Sequence, residues 1–296
     1  VSPGLVALGV PLPLEVVRDQ VQRGAWWVGH EPSLAVDVLR GLPRLSSIEA
    51  LLAAWPAPIT ASVRDPAGRG DEERSVGVSA TDAPMLLASG MSLLFDQVQR
   101  YLPELPPWLV ALRGELGLSA LTQQRCMVYA TPAGGGTGPH FDHNINVVVQ
   151  LTGHKTWWLA PNHHVRNPLA RHAMGLPVEP ELESYAALPM PLELPADATR
   201  VELRPGSVLI VPRGTWHATR ADSMALSLNF TFTAPTWIDL FSAALRSRLA
   251  LSAGWRACAC PAEPGELAQL LRELADDAPH WSAADILAVT EAEAEA

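Results

Sequence analysis

The sequence predicts a mainly β domain with helical flanks, and three observations carry that prediction. From Arg125 onward, apolar residues stop recurring every three or four positions and fill short extended runs instead. These runs are separated by turn clusters, among them Gly134-Gly135-Gly136, Arg204-Pro205-Gly206-Ser207 and Pro212-Arg213-Gly214-Thr215. The stretches before and after keep helical spacing. Many short strands with Pro and Gly turns suit a sandwich or barrel, and a double-stranded β-helix jelly roll of the cupin kind fits best. The expected organisation is an N-terminal mixed helical region (1–120), a jelly-roll core (121–234) and a C-terminal helical segment (235–296).

In chain order, Leu14 to Arg23, Ser33 to Leu39 and Ser46 to Trp55 show apolar residues at helical spacing. In Ser46-Ser47-Ile48-Glu49 a Ser precedes an acid by three residues, a helix-start pattern, and Pro56 and Pro58 end that helix. Ile59 to Val63 and Ser75 to Ser79 read as short strands, with Arg64 to Arg74 a charged loop between them. Helices are expected from Thr81 to Gly90, Leu93 to Leu102 and Trp108 to Leu116, and Trp26, Trp27 and Trp108 are assigned to the core. Strands follow at Cys126 to Thr131, His140 to Leu151, Lys155 to Ala160, Thr199 to Leu203, Val208 to Val211 and Ala225 to Thr233. Gly134 to Gly136 reads as a flexible turn, and Pro161 to Pro195 as an insertion. Trp237 to Leu251 and Glu266 to Asp276 are helical, and the acid–alanine alternation of Glu291 to Ala296 suits a frayed end.

Composition bounds the function. Hydrophobic residues at 48% and a mean hydropathy of +0.11 describe a packed globular chain. No apolar run approaches the roughly 20 residues of a membrane span, so no membrane partner is expected. Val1 to Pro13 is apolar but lacks the basic start and small-residue cleavage site of a secretion signal. Three cysteines make no disulfide framework, which points to a reducing cytoplasm. Cys258-Ala-Cys260 offers two thiolates, an incomplete metal site. A net charge of -10 argues against nucleic-acid binding. It suits a basic partner such as an Arg-rich protein segment, although solubility alone is the plainer reading.

The chemistry centres on His140-Phe141-Asp142. On an extended segment, residues two apart point to one face. A His and a carboxylate on one face, joined by a second His, make the facial triad of non-haem iron(II) oxygenases. With nine His and 31 acidic residues in 296, about one His-x-acid pair arises by chance, so the pair needs context. His217 supplies it, since it lies just past a strand and turn, and strands distant in sequence meet across the mouth of a jelly roll. One further feature stands out: of 21 basic residues, 20 are Arg, and the single lysine is Lys155. A compact ammonium and a planar guanidinium are not equivalent in a tight pocket.

Four stretches together resemble the JmjC-type 2-oxoglutarate oxygenases. They are Tyr129-Ala130-Thr131-Pro132 with Gly134 to Gly136, Gly138-Pro139-His140-Phe141-Asp142, Gln150-Leu151-Thr152-Gly153-His154-Lys155-Thr156-Trp157, and Pro205 to His217. The resemblance covers about Met85 to Phe232. It is closest to the ribosomal oxygenases, with likeness to the asparaginyl hydroxylase branch. It implies that His140, Asp142 and His217 are iron ligands and that Lys155 binds the far carboxylate of 2-oxoglutarate. Thr137 would assist Lys155, and Asn146 and Asn229 match polar pocket positions. Fe(II), 2-oxoglutarate and O2 are the implied cofactors and co-substrates. The expected activity is hydroxylation of an amino-acid side chain in a protein or peptide. A tailoring oxygenase acting on a small molecule, and a jelly roll that binds metal without catalysis, are the alternatives. The segment after about Pro235 is expected to supply dimerisation helices and a homodimer. His163, His164 and His172 in the insertion read as rim or surface residues, with a substrate contact as the sharper alternative.

Overall fold

Two antiparallel sheets form the centre of the structure, a computed structural model describing residues 2–31, 33–63, 75–259 and 264–284. The chain begins with α1 (Leu14–Gln22), β1 (Trp27–Gly29), α2 (Leu34–Arg40), α3 (Ile48–Ala53), β2 (Ile59–Ser62), β3 (Ser75–Val78), α4 (Ala83–Ala88), β4 (Ser92–Phe95) and α5 (Pro106–Glu115). The sheet-rich part follows: β5 (Gln123–Thr131), β6 (His140–Phe141), β7 (Ile145–Thr152), β8 (Lys155–Ala160), β9 (His172–Ala173), α6 (Pro180–Tyr185), β10 (Thr199–Leu203), β11 (Val208–Val211), β12 (Trp216–Ala221) and β13 (Ala225–Thr233). Helices α7 (Trp237–Leu249) and α8 (Pro264–Asp277) follow, with a 3-10 turn at Ala278–His280 after them.

An eight-stranded sheet runs in the order β1-β11-β7-β13-β5-β4-β2-β3, and a five-stranded sheet in the order β10-β8-β12-β6-β9. Strand alternation explains how they pack. Along β5, β7 and β13, one set of side chains (Val128, Ala130, Val147, Val149, Leu228, Phe230) joins Val36, Leu39, Leu109 and Leu112 of α2 and α5 in the main core. The opposite face turns toward the five-stranded sheet. There Val148, Leu209 and Val211 meet Trp157, Leu159, Val201 and Leu203 in a second core between the sheets. A third cluster seats Val165, Met174 and Leu182 on Phe141, Ala160 and Trp216.

Local chemistry accounts for the helix starts. Ser33 and Ser47 each accept a backbone N–H three residues on, from Val36 and Ala50. The cap of α3 is thus Ser47; Ser46 donates its hydroxyl to the carbonyl of Pro43 instead.

Several expectations are corrected. Leu93 to Leu102 is not a helix. Leu93 and Phe95 are buried on one face of β4, which lies between β2 and β5, and Gln97, at φ 53°, leads into a 3-10 turn at Val98–Arg100. Leu94, Val98 and Leu102 share helical spacing, but pairing with two strands overrides that local preference. The strand expected from His140 to Leu151 is two strands in two sheets, β6 and β7, with Asp142 at the break. Trp26 and Trp27 are half-buried rather than core, because β1 is the edge of its sheet. Gly134 to Gly136 runs pinned along β12: Gly134 N–H donates to the Ala221 carbonyl, and Ala221 N–H to that of Gly135. Gly136, at φ 148°, passes so close that a Cβ would stand 2.0 Å from the Thr219 carbonyl oxygen. The Arg64–Arg74 loop, Cys260 and the Glu291–Ala296 end lie outside the described residues.

Two compact units divide the chain, one reaching Leu118 and including Gln124–Thr233, the other comprising Ser119–Gln123 and the chain from Ala234. Within the second unit, Thr236 and Asp239 cap α7 reciprocally. Arg248 of α7 grips both carboxylate oxygens of Asp277 at the end of α8, at 2.6 and 2.7 Å. Phe241 packs on Trp281, with ring centroids 5.7 Å apart. No helix among the described residues is long and apolar enough to cross a membrane.

Candidate active site

Strand pairing builds the site from residues far apart in sequence. β12 lies between β8 and β6, and its His217 is the direct partner of His140. The two rings stand 4.1 Å apart. Asp142 follows where β6 ends, and its backbone carbonyl is held by Gly214 N–H at 2.8 Å. Asp142 Oδ2 lies 3.9 Å from His140 Nε2 and 3.7 Å from His217 Nε2. Ligand atoms of these three residues lie within 4.8 Å of one another, the only such cluster among the described residues.

The histidine tautomers follow from their partners. His140 Nδ1 lies 2.8 Å from the Gly138 carbonyl, and His217 Nδ1 2.9 Å from that of Thr215. Each Nδ1 therefore carries the hydrogen, and each Nε2 lone pair faces the centre. Burial and neighbouring positive charge push both imidazoles below the usual histidine range, so they are neutral donors. Burial works to raise the Asp142 carboxyl, the Arg171 guanidinium beside it works against that, and the group is held below its ordinary value. Two neutral nitrogens and one carboxylate oxygen are a donor set that fits a divalent iron-class ion.

The cluster opens on a cavity of about 500 Å³ between the sheets, into which Lys155 also reaches. Lys155 is 5% exposed. Its ammonium donates to Thr131 Oγ1 at 3.3 Å and lies over the rings of Tyr129 and Trp157, 5.6 and 6.0 Å from their centroids. Among the described residues no carboxylate forms an ion pair with it, and burial pulls its pKa down from 10.5 to about 8. Thr137 lines the same cavity. Its hydroxyl and backbone N–H both bond Thr219 Oγ1 at 3.0 Å. Asn146 accepts from Thr231 Oγ1 at 2.7 Å and points its amide toward Asn144 and Asp142. Asn229 lines the cavity with its Oδ1 buried and without a partner, as does Trp157 with its indole N–H. Unpartnered buried polar atoms of this kind call for a polar ligand.

The structure thus brings all seven candidates, Thr137, His140, Asp142, Asn146, Lys155, His217 and Asn229, to one cavity. Reading the sequence missed Thr131, Thr219, Trp157 and Arg171, which line it too. The first three were detectable, because each lies two residues from a recognised site residue or motif position on the same strand face. The insertion histidines separate. His163 is exposed, and His164 bonds the Pro189 carbonyl. His172 is buried, 6% exposed, against Phe141 and Trp216, so it is neither rim nor surface.

Comparison with known proteins agrees with this architecture. The JmjC domain model matches residues 115–240. The protein YxbC of Bacillus subtilis (strain 168) is 37% identical over 217 residues, covering 71% of this chain and 64% of that one. Ribosomal oxygenase 2 of Mus musculus is 30% identical over 148 residues, 48% of this chain and 27% of that one. The chain spans less than two thirds of the length of either of these curated relatives. Among solved structures, Escherichia coli YcfD matches with a TM-score of 0.55 at 20% identity, over 89% of this chain and 67% of that one. YcfD as a ribosomal oxygenase in complex with cobalt and 2-oxoglutarate matches with a TM-score of 0.52. The fold is the jelly roll of JmjC domains.

Proposed function

We propose that this chain is an iron(II)- and 2-oxoglutarate-dependent oxygenase that hydroxylates an amino-acid side chain of a protein or peptide. One observation carries the reading: a two-His, one-Asp cluster and a buried ammonium with no ion-pair partner among the described residues share one cavity. His140, Asp142 and His217 would hold the metal, whose bound form supplies the oxygen-activating chemistry. Lys155 binds the distal carboxylate of the oxo-acid, since a dicarboxylate enclosed by protein needs a cation and hydroxyl donors at its inner end. Thr131 orients that ammonium, and Thr219 holds Thr137 on the wall of the same cavity. Trp157 stacks on His217 at 5.5 Å and also underlies the Lys155 ammonium at 6.0 Å, so its ring walls the cavity between metal site and carboxylate site. Asn229 and Asn146 offer polar contacts to the bound acid or substrate.

Binding of cobalt and 2-oxoglutarate by YcfD, a protein of the same fold, supports the choice of cofactors. The likeness to ribosomal oxygenase 2 supports a protein substrate. In this reading residues 121–234 are the catalytic core, 1–120 support it, and 235–296 supply a homodimer contact, all in the cytoplasm. The decisive experiment incubates the protein with iron(II), 2-oxoglutarate and candidate peptides, with free amino acids as a parallel set. A gain of about 16 Da on a peptide side chain, coupled to succinate release, is the expected result. Oxidation of free amino acids alone would move the substrate class to small molecules. Absence of both hydroxylated product and succinate would overturn the oxygenase reading.

A further inference from the structure

The segment 161–195 carries a residue that bears on the metal centre. β9 pairs antiparallel with β6, with His140 opposite Ala173 and Phe141 opposite His172. One more step of that register brings Arg171 opposite Asp142. The side chains meet: Arg171 Nε lies 3.3 Å from Asp142 Oδ1. The two carboxylate oxygens therefore have different neighbours. Oδ2 faces the Nε2 atoms of both histidines, at 3.9 and 3.7 Å, whereas Oδ1 faces the guanidinium. The placement of Arg171 is firm on both sides. His172 is buried against Phe141 and Trp216, Met174 N–H donates to the Pro139 carbonyl at 2.9 Å, and Met174 and Leu182 share an apolar cluster with Phe141 and Trp216. Phe141 and Trp216 are the chain neighbours of Asp142 and His217. The segment thus grips both metal-site strands from outside while Arg171 reaches in.

We infer that Arg171 is a positioning residue that holds Asp142 Oδ1, so that only Oδ2 is offered to a metal ion. The inference rests on the reading of the site given above. Held through one carboxylate oxygen and two imidazole nitrogens, a metal ion here would keep room beside it for the oxo-acid. A carboxylate free to turn and bind through both oxygens would take up part of that room. An arginine suits this task because its planar fork directs a hydrogen bond as well as carrying charge.

The test uses Arg171→Met, of similar length but without charge or N–H, and Arg171→Lys, which keeps the charge and loses the fork. Cobalt(II) is titrated into each full-length protein and into wild type, followed by visible absorption with and without 2-oxoglutarate. Thermal unfolding of the metal-free proteins is measured alongside. The expected result is cobalt affinity about 10–100-fold weaker in Arg171→Met. Its absorption band should be altered, and its response to 2-oxoglutarate diminished. Arg171→Lys should be intermediate, and both variants should unfold at the wild-type temperature. Wild-type affinity and band shape in Arg171→Met would overturn the inference while leaving the site reading intact. So would equal losses in both variants accompanied by lower unfolding temperatures, which mark a merely structural role. If wild type itself binds no cobalt, the site reading falls and the inference with it.

Discussion

The two faces of the eight-stranded sheet differ by one residue of register and by everything else. On β5, β7 and β13, Val128, Ala130, Val147, Val149, Leu228 and Phe230 face the helices and are fully buried in apolar company. Their immediate neighbours Tyr129, Thr131, Asn146 and Asn229 face the cavity with polar atoms, one of them unpartnered. The difference teaches that stability and ligand binding are carried by interleaved positions of the same strands. A substitution on one face should read out in unfolding, and its chain neighbour in ligand binding.

The largest effect expected is on the apolar face. Phe230→Ala removes a fully buried ring that packs near Trp108, with centroids 6.2 Å apart, and should cost about 3–5 kcal/mol of stability. Urea unfolding measures it. A loss under about 1 kcal/mol would mean the helix layer is not what holds the sheet.

Lys155→Ala should act on the other side of the comparison. Removing the charged partner of a buried carboxylate costs about 3–5 kcal/mol, a hundredfold or more in 2-oxoglutarate affinity. Metal binding should be largely retained, because no ligand to the metal changes. Isothermal titration of the metal-loaded variant decides it. Unchanged affinity would place the co-substrate elsewhere.

Lys155→Met sharpens the contrast, since it should raise stability while abolishing 2-oxoglutarate binding. The folded pKa is depressed from 10.5 to about 8, so at neutral pH the fold carries a buried ammonium at a cost of about 3 kcal/mol. The sign follows from linkage. Between pH 8 and 10.5 the unfolded chain holds more protons than the folded one, so wild-type stability attributable to this group rises across that window. The Met variant should lack that rise and be the more stable protein below pH 8. Conversely, 2-oxoglutarate binds the protonated form, so wild-type affinity should fall about tenfold per pH unit above pH 8. Thermal scans and titrations from pH 7 to 10 test both trends, and a flat affinity profile would remove the ammonium from the binding step.

The smallest effect expected is at Thr219. Thr219→Val deletes the hydroxyl that receives Thr137 N–H and meets its side chain. It should weaken 2-oxoglutarate by a few-fold, about 1 kcal/mol, with unfolding changed by no more than that. A larger fall in stability than in affinity would assign the Thr137–Thr219 pair to the fold.

What the sequence by itself determined was everything that depends on short-range alternation and turn chemistry. Strands at Cys126 to Thr131, Lys155 to Ala160, Thr199 to Leu203, Val208 to Val211 and Ala225 to Thr233, helices beginning near Ser33 and Ser46, and a His, an Asp and a Lys near strand beginnings all lie within windows of a few residues. The strand Trp216–Ala221 that carries His217, by contrast, reads in the sequence only as the end of a turn. Only the tertiary structure decided which strands meet. Leu93 to Leu102 has apolar spacing that fits a helix, and becomes β4 because β2 and β5 offer it partners on both edges. The run from His140 to Leu151 looks continuous, yet Asp142 falls at a break between two sheets. His217 opposite His140 and Arg171 beside Asp142 are consequences of cross-strand register. Register joins residues tens of positions apart, and no local pattern encodes it; burial of both sheet faces at once selects it.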